Sequence, residues 1–278
     1  MKYIYLRDAG VINEKTNNPY FYKNEFFSRL DNAIKLAKKF KIHLQLTIGK
    51  DFFLDNLSSF NQMKPELKKI KFITVHLQAN YNSLISNDKK SILFIKKLIK
   101  FSNDLKNIVG YCVHPDNVNK YDTLKKLKNK KNYLAIEVTD LKSRSGNNFK
   151  QIQKLLNTYQ YLDLVLDTSH INDIKQKFID EPSFNDYCNY FGKRIVEIQI
   201  SSNENNYKKK IFGKNFKTDH SLLAISKKRI SIQLLKMPYF KNLNLVIEGV
   251  VPYSAYGKGL LSKEILILKK IIKKNRIN

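Results

Sequence analysis

Leu162-Asp163-Leu164-Val165-Leu166-Asp167-Thr168-Ser169-His170 is the stretch on which the fold turns. Its short apolar run reads as a strand, and the run stops at a carboxylate with an imidazole one turn further on. Amphipathic helical spacing flanks it on both sides, at Phe149 to Leu156 before and at Phe184 to Phe191 after. A strand framed by helices is the unit of an α/β sheet.

The same unit recurs outward in both directions. Strand-like runs fall at Tyr3 to Leu6, Ile42 to Ile48, Phe72 to His76, Ile108 to His114, Tyr133 to Val138, Ile195 to Ile200 and Leu243 to Glu248. Between them, Phe26, Phe27, Leu30, Ala33, Ile34, Ala37 and Phe40 recur at helical spacing. Ser91 to Leu105 is amphipathic, a Lys-rich helix is predicted near 122–130, and a last helix runs from Ser262 onward. No low-complexity linker interrupts the alternation, which repeats every ~25 to 50 residues and predicts one closed (β/α)8 TIM barrel over residues 1–278. The competing open, doubly wound sheet normally opens with a glycine-rich turn. Here the first strand ends in Arg7-Asp8-Ala9-Gly10, the chain has only 9 Gly, and neither GxGxxG nor a P-loop occurs.

Composition narrows the class further. With 42% hydrophobic residues over 278, the chain is neither a disordered tail nor a disulfide-stapled miniprotein. Its two cysteines, Cys112 and Cys188, are far apart and outside any CxxC pair, which fits a reducing compartment and excludes a thiolate knuckle. The N-terminal apolar run is too short for a signal segment, and no later run nears the ~18 apolar residues of a membrane span. A soluble cytoplasmic protein is the expectation. The formal charge of +27 points on its face to a polyanion such as DNA. Only Arg7, Arg29, Arg144, Arg194, Arg229 and Arg276 are arginine, however, and lysine spread over every solvated face is also what compositional drift produces.

In such barrels chemistry sits at the C-terminal ends of the strands. His76, His114, Glu137, Asp167, Gln199 and Glu248 lie on or end predicted strands, His170 follows one turn later, and Asp219 and His220 lie in the loop after the seventh strand. Of the five histidines only His43 falls elsewhere. Any one of these can be a satisfied polar group. Three carboxylates and four imidazoles at one rim would repel and desolvate one another unless cations lay among them. Imidazole and carboxylate without thiolate suit a divalent ion such as zinc, manganese or iron, in one to three copies. Cys112 points to the same side as His114, though a lone strand cysteine is usually packing. Tyr253, Tyr256 and a Gly257-Lys258-Gly259 turn offer a place for a phosphate.

Taken in order, these motifs resemble the xylose isomerase-like barrel superfamily, which includes endonuclease IV and the sugar isomerases and epimerases. Val75-His76 with Tyr81 downstream looks like the family's third-strand element, and Val113-His114-Pro115 like its fourth. Ile136-Glu137 with Ser145-Gly146-Asn147 is similar to the fifth, and Leu166-Asp167-Thr168-Ser169-His170 to the Asp-Thr-x-His element. Ile247-Glu248 takes the place of the terminal glutamate. The likeness to endonuclease IV implies a first metal on His76, His114 and Glu137. It implies a second shared by Glu137, Asp167 and Glu248, and a third on His170 and His220 with Asp219 assisting.

The implied reaction is cleavage of abasic DNA by a phosphodiesterase. The alternative is a sugar or sugar-phosphate isomerase or epimerase with one metal on Glu137, Asp167, Gln199 and Glu248, in which Glu137 and Glu248 move the proton. A barrel that binds a partner without turnover is the third. Tyr81, Asp219 and Lys258 are the expected substrate contacts. The chain departs from the family pattern at Gln199, where a histidine is usual. It departs again at Lys217-Thr218-Asp219-His220, which lacks an acid two residues before the histidine, and at Leu223-Ala224-Ile225, where Gly-Glu-Gly often stands.

Overall fold

A computed structural model describes residues 3–12, 25–78, 85–202, 220, 222–225 and 243–274. Eight parallel strands close on one another: β1 (Ile4–Arg7), β2 (His43–Ile48), β3 (Ile73–Leu77), β4 (Ile108–Val113), β5 (Tyr133–Glu137), β6 (Asp163–Asp167), β7 (Ile195–Ile200) and β8 (Asn244–Ile247), with β8 pairing back to β1. Their side chains alternate between two environments, as the strand period requires. Leu44, Leu46 and Ile48 of β2 join the large apolar core under the helices, while Gln45 and Thr47 are buried among polar groups. Gln45 hydrogen-bonds Glu197 of β7, so the alternate set crosses the barrel interior.

The predicted helices form where the apolar spacing is dense. In α1 (Phe26–Phe40) Leu30, Ala33, Ile34 and Ala37 are buried, and Lys41 ends the helix in the left-handed region at φ 53°. Helices α2 (Lys50–Asp55) and α3 (Leu57–Leu67) escape the sequence reading because α3 buries only Phe60 and Leu67 and α2 only Phe53. Their rings are what fix them: Phe53 and Phe60 pack edge-on against Phe101 of α4 (Lys89–Leu105), with centroids 5.6 and 6.0 Å apart. Asp88 caps α4 through Ser91 N at 2.7 Å. Asp88→Ala should therefore cost about 1 kcal/mol, read as a lower midpoint in urea at unchanged slope.

Helices α5 (Tyr121–Lys125), α6 (Phe149–Thr158), α7 (Thr168–Lys177) and α8 (Phe184–Phe191) follow. The sequence reading placed α8 and missed α7. No loop separates β6 from α7, because Asp167 is at once the last strand residue and the helix cap.

The terminal helix α9 (Ala255–Lys274) begins before the expected Ser262 and runs through Gly257-Lys258-Gly259, which is therefore helix and not a phosphate-holding turn. Helix propensity fails as a guide here because Gly257 answers to packing. A Cβ at that position would overlap the Pro252 carbonyl, where α9 crosses the two-residue strand Val251–Pro252 paired with Val11–Ile12. Among the described residues no helix is long and apolar enough to cross a membrane.

Candidate metal centre

All eight strands run the same way, so their last residues meet at one mouth. Register ties them in pairs: Thr47 lies beside His76, His76 beside Cys112, and Asp167 beside Gln199. His43, the histidine without a predicted strand end, begins β2 at the opposite face, where burial pulls its pKa down to about 4.

Glu137 is the hub of the mouth. Its Oε2 lies 3.3 Å from His76 Nε2, accepts from Gln199 Nε2 at 3.0 Å and accepts from Cys112 Sγ at 3.4 Å. Its Oε1 lies 3.4 Å from His114 Nε2 and 3.8 Å from His170 Nδ1. Burial works to raise its pKa, but the imidazoles beside it, His114 above all and His170 with it, hold the carboxyl well below its ordinary range. His76 is wholly buried and moves the other way. Desolvation first, then the charge of Arg7, push it well below the usual histidine value and keep it neutral, the form that ligates a metal.

A second cluster sits on β6. Asp167 Oδ1 accepts from Ser169 N at 2.6 Å and His170 N at 3.2 Å, leaving Oδ2 3.5 Å from His170 Nδ1. The Val138 carbonyl lies 2.9 Å from His170 Nδ1, so that nitrogen carries the hydrogen. Burial opposes charge on His170, yet Asp167 and Glu137 outweigh it and its pKa is raised. His220 Nδ1 lies 2.9 Å from Ser201 Oγ, 3.2 Å from Ser169 Oγ and 3.7 Å from Glu248 Oε2. Glu248 is also ion-paired to Arg7.

Four of these groups share one feature. Glu137 Oε1, Asp167 Oδ2, Gln199 Oε1 and Glu248 Oε2 are each buried without a hydrogen bond, as are both ring nitrogens of His76. Other buried atoms, such as Tyr5 Oη, Thr74 Oγ1 and Asn107 Oδ1, also lack a hydrogen bond, so what marks this set is that its members are oxygens that end neighbouring strands. Oxygen donors from the ends of β5, β6, β7 and β8, with neutral imidazole beside them, fit a hard-to-borderline divalent ion. Among the described residues, two groupings of His, Cys, Asp and Glu bring one ligand atom per residue within 4.8 Å of one another: His76, Cys112 and Glu137, and Asp167, His170 and His220, so Glu137 and Asp167 each belong to one of them. Above them opens a cavity of about 200 Å³ whose walls include Arg7, Gln78, His114, Asp140, His220 and Glu248. A larger cavity of about 510 Å³ opens elsewhere, among Tyr3, Lys41, His43, Lys269 and Lys273. It collects no carboxylate, so volume is not what marks the site.

The structure thus brings together His76, His114, Glu137, Asp167, His170, Gln199, His220 and Glu248. Tyr81 and Asp219 lie outside the described residues. Lys258 is not among the residues that line the mouth cavity; its ammonium lies 4.5 Å from the Tyr253 ring.

Sequence reasoning missed Arg7, Gln78, Asp140 and Glu197. Arg7 had a signal, since it ends β1 as the others end their strands and is one of six arginines. Glu197 is fully buried two residues before Gln199, on the same face of β7. It accepts from Gln45 Nε2 at 2.7 Å, Tyr133 Oη at 2.7 Å and Gln199 Nε2 at 3.4 Å. Burial raises its pKa to about 7 despite these donors.

No known family pattern and no curated protein matches the chain. Solved structures do. A zinc-bound IolI protein superposes with a TM-score of 0.62 at 15% identity, covering 98% of each chain. A xylose isomerase domain protein from Alicyclobacillus acidocaldarius gives 0.63 at 8% identity over 99% of this chain and 100% of that one. A protein assigned by name as a sugar phosphate isomerase/epimerase from Anabaena variabilis gives 0.56 at 12%, over 98% and 99%. Identities this low speak to architecture alone, and on that ground the chain has the xylose isomerase-like (β/α)8 fold.

Proposed function

We propose that this protein is a divalent-metal-dependent isomerase or epimerase acting on a small sugar or sugar phosphate, working in the cytoplasm as one barrel over residues 1–278. The observation that carries the reading is the set of four buried oxygens on Glu137, Asp167, Gln199 and Glu248 that accept no hydrogen bond, three of them facing imidazoles at 3.4–3.8 Å. Structural likeness to a zinc-bound protein and to sugar isomerase/epimerase folds supports zinc as the ion and a sugar as the substrate, with manganese the second candidate. The cavity, at about 200 Å³, is smaller than the ~300–1,000 Å³ of drug-sized sites, which suits one small polyol.

A bound ion would polarise the carbonyl oxygen of the sugar and so acidify the C–H of the carbon next to it. Glu137 and Glu248, on opposite sides of the Asp167 and Gln199 strands, take that proton and return one, to the other face of the same carbon in an epimerisation, or to the former carbonyl carbon in an isomerisation while the hydroxyl proton passes between the two oxygens. Arg7 holds one Glu248 oxygen, which leaves Oε2 as the group facing the substrate. His114 and His170 flank Glu137 and keep it ionised between turnovers.

A specific surplus favours a second reading. One metal on four oxygens leaves His76, His114, His170 and His220 out of the ligand set, whereas a phosphodiesterase of the endonuclease IV kind, cutting abasic DNA, would use all of them as ligands. Metal stoichiometry and paired assays separate the two. Purified protein should carry one equivalent of zinc by mass spectrometry, and chelation should abolish turnover of a ketose from a panel. Two or three equivalents, with nicking of a duplex containing one abasic site and no ketose turnover, would reverse the ranking.

A further inference from the structure

Gln199 is the one carboxamide among the candidate ligands, and an amide poses a problem of orientation that an imidazole or a carboxylate does not. An imidazole offers a ring nitrogen on either edge. A carboxamide offers an oxygen on one side and an NH2 on the other, and only the oxygen can hold a cation. Whatever fixes the amide decides whether residue 199 ligates or repels.

We propose that Glu197 is the positioning residue that turns Gln199 into an oxygen ligand, an inference that rests on the metal site described above. Both hydrogens of the Gln199 amide are taken on one side, by Glu137 Oε2 at 3.0 Å and Glu197 Oε1 at 3.4 Å. Flipping the amide would set its oxygen against two buried carboxylates and its NH2 toward the cation, so neither contact survives. Glu137 alone is a weak guide, because its charge is shared with His76, His114, Cys112 and the ion. Glu197 has no such competing duty. It is anchored from behind by Gln45 and Tyr133, it is wholly buried, and it does not line the cavity. Three donors occupy it, so its role is to hold an amide and not to exchange protons with substrate. The pair Glu197 and Gln199, two residues apart on one face of β7, works as one ligand unit.

The test is a double-mutant cycle read as zinc affinity, by competition with a chromophoric chelator. Glu197→Gln should weaken zinc about 10- to 100-fold, the range for an outer partner of a metal ligand. In a Gln199→Ala background, where no amide needs orienting, the same substitution should change affinity by less than about 3-fold. Equal losses in both backgrounds, or no loss with Gln199 present, would overturn the proposal. Asp167→Ala is the control on the site itself. If it keeps full zinc, or the unmodified protein binds none, the site reading fails and this inference with it. Should Glu197→Gln not fold, the unmodified zinc-loaded protein decides the matter with glutamine labelled at the side-chain ¹⁵N. The Gln199 NH2 protons should then exchange slowly with water, and freely exchanging, degenerate resonances would contradict their being held by two carboxylates.

Discussion

Asp167→Asn is expected to leave the melting temperature nearly unchanged while lowering kcat/KM by about a thousandfold or more, because the two oxygens of Asp167 do separate jobs. Oδ1 is the cap of α7, accepting from the backbone of Ser169 and His170 and from Ser169 Oγ. Oδ2 makes no hydrogen bond and is the group offered to the cation. Asparagine caps a helix as well as aspartate does, so the first job survives the substitution. The second does not: an NH2 replaces an anionic oxygen and meets a positive charge. Asp167→Ala loses both functions and should melt lower as well, by the ~1 kcal/mol of a missing cap, or about 2–4 °C in a chain of this size. Zinc content and melting curves on the two variants separate the jobs. If Asp167→Asn retains both zinc and turnover, Asp167 is only a cap and the site is elsewhere.

That double use of one residue also explains what the sequence could and could not reveal. Asp167 was legible because a carboxylate that ends an apolar run is conspicuous, and the same signal exposed His76, Glu137 and Glu248. Helix α7 was not legible, since a strand and helix that share a residue leave no turn to detect. Gly257 misled for a related reason. Its place is set by the Pro252 carbonyl beneath it, a long-range contact that local propensity does not encode. Glu197 was passed over because in sequence it is one charged residue inside a β-branched strand. Only closure of the barrel brings Gln45, from 152 residues earlier in the chain, to its oxygen.

The same closure makes Gly110 a position where a single methyl should be damaging. Gly110 of β4 pairs with Tyr133 of β5, and a Cβ there would overlap the Tyr133 ring. That ring cannot simply swing aside. It packs on the small interior cluster of Cys112, Ala135 and Val165, and its hydroxyl reaches Glu197 Oε2 at 2.7 Å. Gly110→Ala therefore overpacks the interior, at about 1–3 kcal/mol, and breaks a hydrogen bond to a buried carboxylate, at about 1.5–3 kcal/mol. Together these are a large share of the ~5–15 kcal/mol by which a protein is ordinarily stable. Tyr133→Phe loses the second contribution only and should fall between Gly110→Ala and the unmodified protein. Combining Gly110→Ala with Tyr133→Leu vacates the space and should recover the overpacking cost, so the double variant should denature later in urea than Gly110→Ala alone. A Gly110→Ala protein with an unchanged denaturation midpoint would mean that Tyr133 does not lie across β4, and the anchoring of Glu197 from behind would fall with it.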